Sequence, residues 1–480
     1  MIDCLERVQR ILWGPGTLAL LLGTGLFLTL RTGFLPWRNL GWSIRTALGR
    51  DARREKGEEG VSPFSALMTA LAATIGTGNI VGVAAALAAG GPGALVWMEL
   101  SALLGMSTKC VECLLSVKYR RRNRRGELTG GPMYVMESAL GPPGRVLAAV
   151  FALAASWGSL GMGGMVQSKA AAEALESAFG VPAGLTGLAA AVLALGTLLR
   201  GGRGVARACE RLVPAMAVSY FLCALAVILG NWRSLPGALE EIVLCAFTPR
   251  AAAGGAAGTA ISVWDAARWG VARGVFSNEA GTGAAGIAAA SADSDSPARQ
   301  GYINMAGVFF DTIVLCTATG LAICASGVLE TAGGAEGGTL TIRAFETVLG
   351  GWAPGLISLS LTLFAFSTIL GWAYQGEQAF AYLSGGRGLT LYRGAMALAV
   401  LAGAKAALGP VFLLADVCNA LMCLPNLLCL LALSGPAARE LRDFQRRRGV
   451  SSGGRGRAML ERWKNVQPAE PSAPCGGKKS

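Results

Sequence analysis

The sequence predicts an all-α polytopic membrane protein of about eleven transmembrane helices, and three observations carry that prediction. Apolar residues make up 53% of the chain and charged residues only 15%, too little polar surface to clothe a water-soluble core of this length. The apolar residues gather into blocks of about 18 to 25, the length that crosses a hydrocarbon layer. Basic residues concentrate in every second connecting loop, as the loops of a membrane protein do on its cytoplasmic side.

Apolar runs and the breakers between them place spans near residues 11–30, 64–89, 94–117, 145–170, 183–199, 212–229, 256–290, 301–326, 354–382, 390–407 and 411–433. The first block, Ile11 to Leu30, is as long as a span and lacks a small-residue cleavage site followed by a soluble domain, so it reads as a retained helix. Arg38, Arg45, Arg50, Arg53, Arg54 and Lys56 follow the first span, and Lys118, Arg120, Arg121, Arg122, Arg124 and Arg125 follow the third. Arg200, Arg203, Arg207 and Arg211 follow the fifth, Arg387 and Arg393 the ninth, and Arg439, Arg442, Arg446, Arg447 and Arg448 the last. The alternate loops hold little beyond Arg233, Arg250 and Arg343. An eleven-span count puts every strongly basic loop on one face, with the N-terminus outside and the C-terminus cytoplasmic. The net charge of +13 is then a topology signal, and no nucleic-acid partner is expected.

Similar stretches open two halves of the chain. Gly76 to Ala84 (GTGNIVGVA) in the second span resembles Gly281 to Ala288 (GTGAAGIA) in the seventh. Five spans separate them, an odd number, so the two copies run in opposite directions through the bilayer. The expected organisation is an extra N-terminal helix with a basic cytoplasmic loop (1–63) and a five-helix repeat (64–230). A second, inverted five-helix repeat (231–433) and a basic, largely disordered cytoplasmic tail (434–480) complete it. Cys110 and Cys113 form a CxxC, but it lies inside a span, no second pair exists and the chain has no histidine. Packing is the expected role for these thiols.

Gly76 and Gly78 flank Thr77 at mid-membrane, and glycines at that position invite a break in the helix. Unwound backbone at such depth persists only where something polar satisfies it. Amides near Asn79 suit a carboxylate, and carbonyls ending the inner half-helix suit a monovalent cation. The seventh span carries Arg273, Ser277, Asn278 and Glu279 beside Gly281 and Gly283, a polar content too costly to face lipid. Arg273 and Glu279 are expected to pair across a helix break; Ser277 and Asn278 are left to line water or a ligand. Thr368 and Trp372 share a helix face at i, i+4 spacing, with Ser367 beside them, and pair a hydroxyl with an indole wall. Among the other charges within spans, Lys109 and Glu112 are expected to pair or snorkel near the cytoplasmic end. Asp311, deep in the eighth span, is the candidate for ion coupling or helix pairing.

The run GTGNIVGVAAAL, followed by GGPGALVWMEL, GMSTKCVE, KYR and GGPMY, resembles the alanine or glycine:cation symporters (sodium:alanine symporters). RGVFSNEAGTGAA, QGYINMAGVFFDT and FSTILGWAYQGEQ resemble them too, in order from about residue 12 to 433. The resemblance implies a LeuT-type fold of five-plus-five inverted repeats and Na⁺-driven uptake of alanine, glycine or a similar small amino acid. It implies a place in a bacterial or archaeal cytoplasmic membrane, with Na⁺ as coupling ion and no further cofactor. By that likeness Thr77, Gly78 and Asn79 match the unwound substrate-binding segment, and Gln167 matches a polar pocket residue. Phe276, Ser277 and Asn278 match the second broken helix, while Thr368 and Trp372 match a wall on the ninth span. The implied cation site falls on backbone oxygens near Ala72, Ile75 and Phe364 and on the hydroxyls of Ser367 and Thr368. Ala284, Ala285 and Gly286 depart from the Ser and Pro usual after the seventh-span GxG, and Ala373, Tyr374 and Gln375 depart from an aromatic-rich run; both departures bear on the substrate. Coupling to H⁺ or carriage of a larger amino acid such as glutamine is the alternative, and an ion channel a further one. No enzyme is expected, since the chain has no histidine and no arranged nucleophile, base or metal cluster.

Overall fold

A backbone in hydrocarbon has no water to satisfy its N–H and C=O groups, so each apolar block is expected to close its hydrogen bonds within a helix. The computed structural model describes residues 2–54, 60–124, 126–248, 262–331 and 337–451, and helices dominate it. Among the described residues, seven helices are long and apolar enough to cross a membrane, or eight if the bent pair Pro63–Thr74 and Thr77–Gly90 is one span. Ala183–Leu198 and Leu389–Gly403, the predicted fifth and tenth spans, are apolar but shorter. The seventh is a pair of helices, Val263–Asn278 and Ala284–Ala290; the start predicted for it at 256–261 lies outside the described residues. Leu153, Trp157, Leu188, Val192, Leu222 and Leu229 stand exposed on the outward faces, an apolar belt that suits lipid.

The third span (Ala94–Lys118) sits at the centre and packs against both the seventh and the eighth (Pro297–Ala325). The second span packs on the ninth (Ala353–Ser384) and on the sixth (Gly201–Gly230). Two spans contain a widened turn: π-helix interrupts the fourth at Ser159–Val166 and the eighth at Phe309–Cys316. Such turns add a residue per repeat and redirect side chains, which places Met162 and Asp311 toward the protein interior.

Two segments read as loops in the sequence, on one side of the protein, are helical. Leu235–Phe247 is too short to span, yet Ala238, Ile242 and Ala246 recur at i, i+4, i+8 and bury one face against the third and eighth spans. Gly338–Leu349 likewise buries Leu340, Thr341, Ala344 and Phe345. On the opposite side, the basic loop after the third span folds into a short antiparallel pair, Arg121–Arg122 with Leu128–Thr129. After the last span a further helix runs from Ser434 to Ser451; the rest of the tail lies outside the described residues.

Candidate functional site

The second span breaks where its glycines stand. Its helix ends at Thr74; Gly76 is extended, Thr77–Asn79 form a single 3-10 turn, and the two halves meet at 61°. The Gly76 N–H would close a helical turn on Ala72. Instead it donates to the Asn79 side-chain oxygen at 2.9 Å, leaving the Ala72 carbonyl without its helical partner. Gly76 also needs its lack of a side chain, because a Cβ there would stand 2.6 Å from the Thr368 hydroxyl. The amides of Thr77 and Gly78, first in their turn, have no hydrogen-bond acceptor among the described residues.

The seventh span breaks differently. Its helix ends on Glu279, a non-glycine residue in left-handed conformation (φ 51°), and Gly281 and Gly283 follow with φ of 98° and 90°. Such a φ is costly for a residue with a side chain, so Glu279 is strained. Contacts from other spans hold the turn. Glu112 of the third span accepts from the amides of Gly281 and Gly283, both at 3.1 Å. Asn426 of the eleventh span (Gly409–Ala432) donates to Glu112 at 3.2 Å and to the Gly281 carbonyl at 2.9 Å. Lys109 donates to the Glu279 carbonyl at 3.1 Å. Lys109 and Glu112 are therefore buried struts of the break, which corrects the expectation that they snorkel or pair with each other. Arg273 and Glu279 do not pair either. The guanidinium lies over the rings of Trp269 and Phe276, 6.0 and 5.9 Å from their centres, because the left-handed turn points Glu279 elsewhere.

The two breaks meet. Asn79 donates to the Ser277 hydroxyl at 3.3 Å and to the Asp311 carboxylate at 2.8 Å. Ser277 and Thr312 donate to the other Asp311 oxygen, each at 2.9 Å. Asp311 is wholly buried and ties both interrupted helices to the widened turn of the eighth span. Beside this junction is a small cavity of about 40 Å³. Thr77, Gly78, Gln167, Phe276, Ser277, Thr368 and Trp372, all singled out in the sequence, line it. Asn79 and Asn278 stand just behind: Asn79 faces Asp311, and Asn278 binds its own turn through the Ala280 amide. Thr77 donates to Gln167 at 3.3 Å and bridges the second span to the fourth.

The oxygens considered for a cation converge next to the cavity. Ser367 Oγ lies 3.5 Å from the Ile75 carbonyl and 2.9 Å from the Phe364 carbonyl, and Thr368 Oγ1 is 2.9 Å from the latter. With the free Ala72 carbonyl one turn earlier, the set is all oxygen, as a hard monovalent cation prefers. Sequence reading missed Trp13, Met162, Glu279 and Asn419 as lining residues. Trp13 follows the helix Ile2–Leu12 and is held over the cavity by donating to the Asp416 carbonyl at 2.8 Å. No local pattern points to it, since its neighbour in space lies 403 residues away.

A family model described as the sodium:alanine symporter family matches residues 1–455. The chain belongs to the sodium:alanine symporter family. As a member it is a membrane transporter and not an enzyme. It is 43% identical over 449 residues to the sodium/alanine symporter AgcS of Methanococcus maripaludis, covering 92% of this chain and 97% of that one. It is 36% identical over 454 residues to a probable sodium/glutamine symporter, GlnT, of Bacillus subtilis, covering 93% of this chain and 92% of that one. Among solved structures, a manganese transporter of Eremococcus coleocola aligns over 82% of this chain and 80% of its own, with a TM-score of 0.49 and 14% identity, too distant to inform the site.

Proposed function

We propose that this family member is a symporter that imports a small neutral amino acid, alanine or glycine, driven by a Na⁺ gradient. The proposed layout is eleven spans with the N-terminus outside, spans 2–6 and 7–11 forming LeuT-like inverted repeats that alternate access to one site. The observation that carries the reading is the contact between the two breaks, Asn79 to Ser277, beside a cavity lined by unpaired backbone.

Each part of the ligand pair has a chemical counterpart there. The amides of Thr77 and Gly78 suit the substrate carboxylate, at the start of a half-helix whose dipole favours negative charge. The Phe276 and Ser277 carbonyls lose their helical partners, because the Ala280 and Gly281 amides bond elsewhere, and they suit an ammonium group. Na⁺ suits the oxygens of Ala72, Ile75, Phe364, Ser367 and Thr368, joining the second span's break to the ninth span. Trp372 and Met162 leave room for a short side chain only. A larger cavity of about 600 Å³ lies among the basic loops, lined by Arg121, Arg203 and Tyr374 and by Glu377, which pairs in two-pronged fashion with Arg393 at 2.6 and 2.8 Å. It is the proposed cytoplasmic exit.

The test is counterflow of labelled alanine into proteoliposomes with Na⁺, Li⁺ or pH gradients imposed separately. Uptake is expected under the Na⁺ gradient, with glutamine a poor competitor. Uptake indifferent to every ion contradicts coupling; acceleration by a pH gradient alone, or strong glutamine competition, supports the H⁺-coupled or larger-substrate alternative. Steady ion current without amino acid supports a channel.

A further inference from the structure

The cavity holds two polar acceptors that the described residues leave without partners. Glu279 is 8% exposed and Asn419 6%, and both line the cavity. One carboxylate oxygen of Glu279 and the amide oxygen of Asn419 are buried with no hydrogen-bond donor among the described residues. Buried acceptors of this kind are rare in folded proteins, because each forfeits its hydration with nothing in return. A buried carboxylate without a counter-charge is costlier still.

Of the cations nearby, Lys109 acts on the carboxylate only through space, without a hydrogen bond to it. Lys109 is hydrogen-bonded to the main-chain carbonyl of Glu279, and Arg273 lies over aromatic rings. Among the described residues no Lys or Arg nitrogen comes within 4 Å of the Glu279 carboxylate. Trp372 of the ninth span lines the same cavity as that carboxylate. Asn419 comes from the eleventh span, less than one turn after Asp416, whose carbonyl holds Trp13 over the same cavity.

We propose that Glu279 and Asn419 form the receptor for the substrate's ammonium group. This deepens the symport reading above and rests on it. An ammonium carries one positive charge and three N–H donors. A carboxylate oxygen and an amide oxygen on the wall supply charge and two acceptors, and the freed Phe276 or Ser277 carbonyl supplies a third. The substrate then lies with its carboxylate at the second-span break and its ammonium at the seventh. The strained left-handed turn at Glu279 acquires a reason, since it points a carboxylate into the cavity that a continuous helix would direct elsewhere.

The test compares alanine with lactate, which keeps the carboxylate and methyl group but replaces the ammonium by a hydroxyl. Half-saturating concentrations of each are read from thermal stabilisation of the purified protein at saturating Na⁺, which requires no transport. The unaltered protein is expected to prefer alanine by at least about 100-fold, as sites built around a buried polar contact do. Glu279→Gln is expected to shrink that preference about tenfold or more, by weakening alanine while sparing lactate. Asn419→Ala, which leaves the strained turn untouched, is expected to shrink it about threefold. Equal weakening of both ligands by Glu279→Gln, or a preference unchanged in Asn419→Ala, overturns the proposal. A shift in the half-saturating Na⁺ concentration with the preference intact also overturns it, because the carboxylate would then serve the cation. Should Glu279→Gln not fold, Asn419→Ala alone decides. If the unaltered protein shows no stabilisation by alanine in Na⁺, the symport reading itself fails, whatever the variants do.

Discussion

The second and seventh spans are both interrupted at the middle of the protein, but they are held open by different means. The second-span break is local: an amide three residues upstream turns to the Asn79 side chain, and Gly76 lets Thr368 approach. The seventh-span break is braced from afar, by Glu112 and Lys109 of the third span and Asn426 of the eleventh, all buried. A local break leaves backbone groups free for ligands and costs the framework little. A break braced by buried charge makes the same groups part of the framework. Substitutions at the seventh-span braces should therefore reduce stability and transport together, and those at the second-span break should act chiefly on binding.

The largest effect is expected from Glu112→Ala. It strands the amides of Gly281 and Gly283, each at a cost of about 1–3 kcal/mol, and removes one of the two acceptors of the Asn426 amide. Transport should vanish and the melting temperature of the purified protein should fall by several degrees; an unchanged melting temperature would mean that Glu112 does not brace the seventh-span break. Asn79→Leu and Ser277→Leu come next. Each removes a donor to Asp311 and should abolish alanine uptake while the protein still inserts in the membrane, checked by surface labelling beside uptake. Near-normal uptake by either would refute the placement of the site. Gly76→Ala should be milder and more selective. Its added methyl forces Thr368 aside, an overpacking of about 1–3 kcal/mol, so the Na⁺ concentration for half-maximal transport should rise about tenfold with little loss of protein. Trp13→Ala should do least. Removing the roof of the cavity should weaken alanine about threefold and let longer side chains compete, as measured by inhibition of alanine uptake.

Much of this could be read from the chain, and the limits have physical causes. Break positions were legible because glycine at mid-membrane has a local meaning: Gly76 and Gly281 announce unwound backbone wherever the partners lie. Ser277 and Thr368 were legible because a hydroxyl at that depth is costly unless used. The braces were not, since Glu112 and Asn426 are 314 residues apart and nothing in either neighbourhood names the other. Lys109 and Glu112, three residues apart, suggested an ion pair or snorkelling, whereas both reach sideways into another helix. Leu235–Phe247 and Gly338–Leu349 escaped notice because they are too short to register as spans, although each buries one face. Trp13 and Asn419 face the cavity through tertiary packing alone.

We place one binding site across the two interruptions. A double-mutant cycle on alanine affinity tests it most directly, using Asn79→Ala, Ser277→Ala and the pair, titrated into purified protein at saturating Na⁺. Residues that touch across a shared site should be non-additive by more than about 0.5 kcal/mol. Losses that simply add, as for two distant and independent positions, would mean that the two breaks do not share a site.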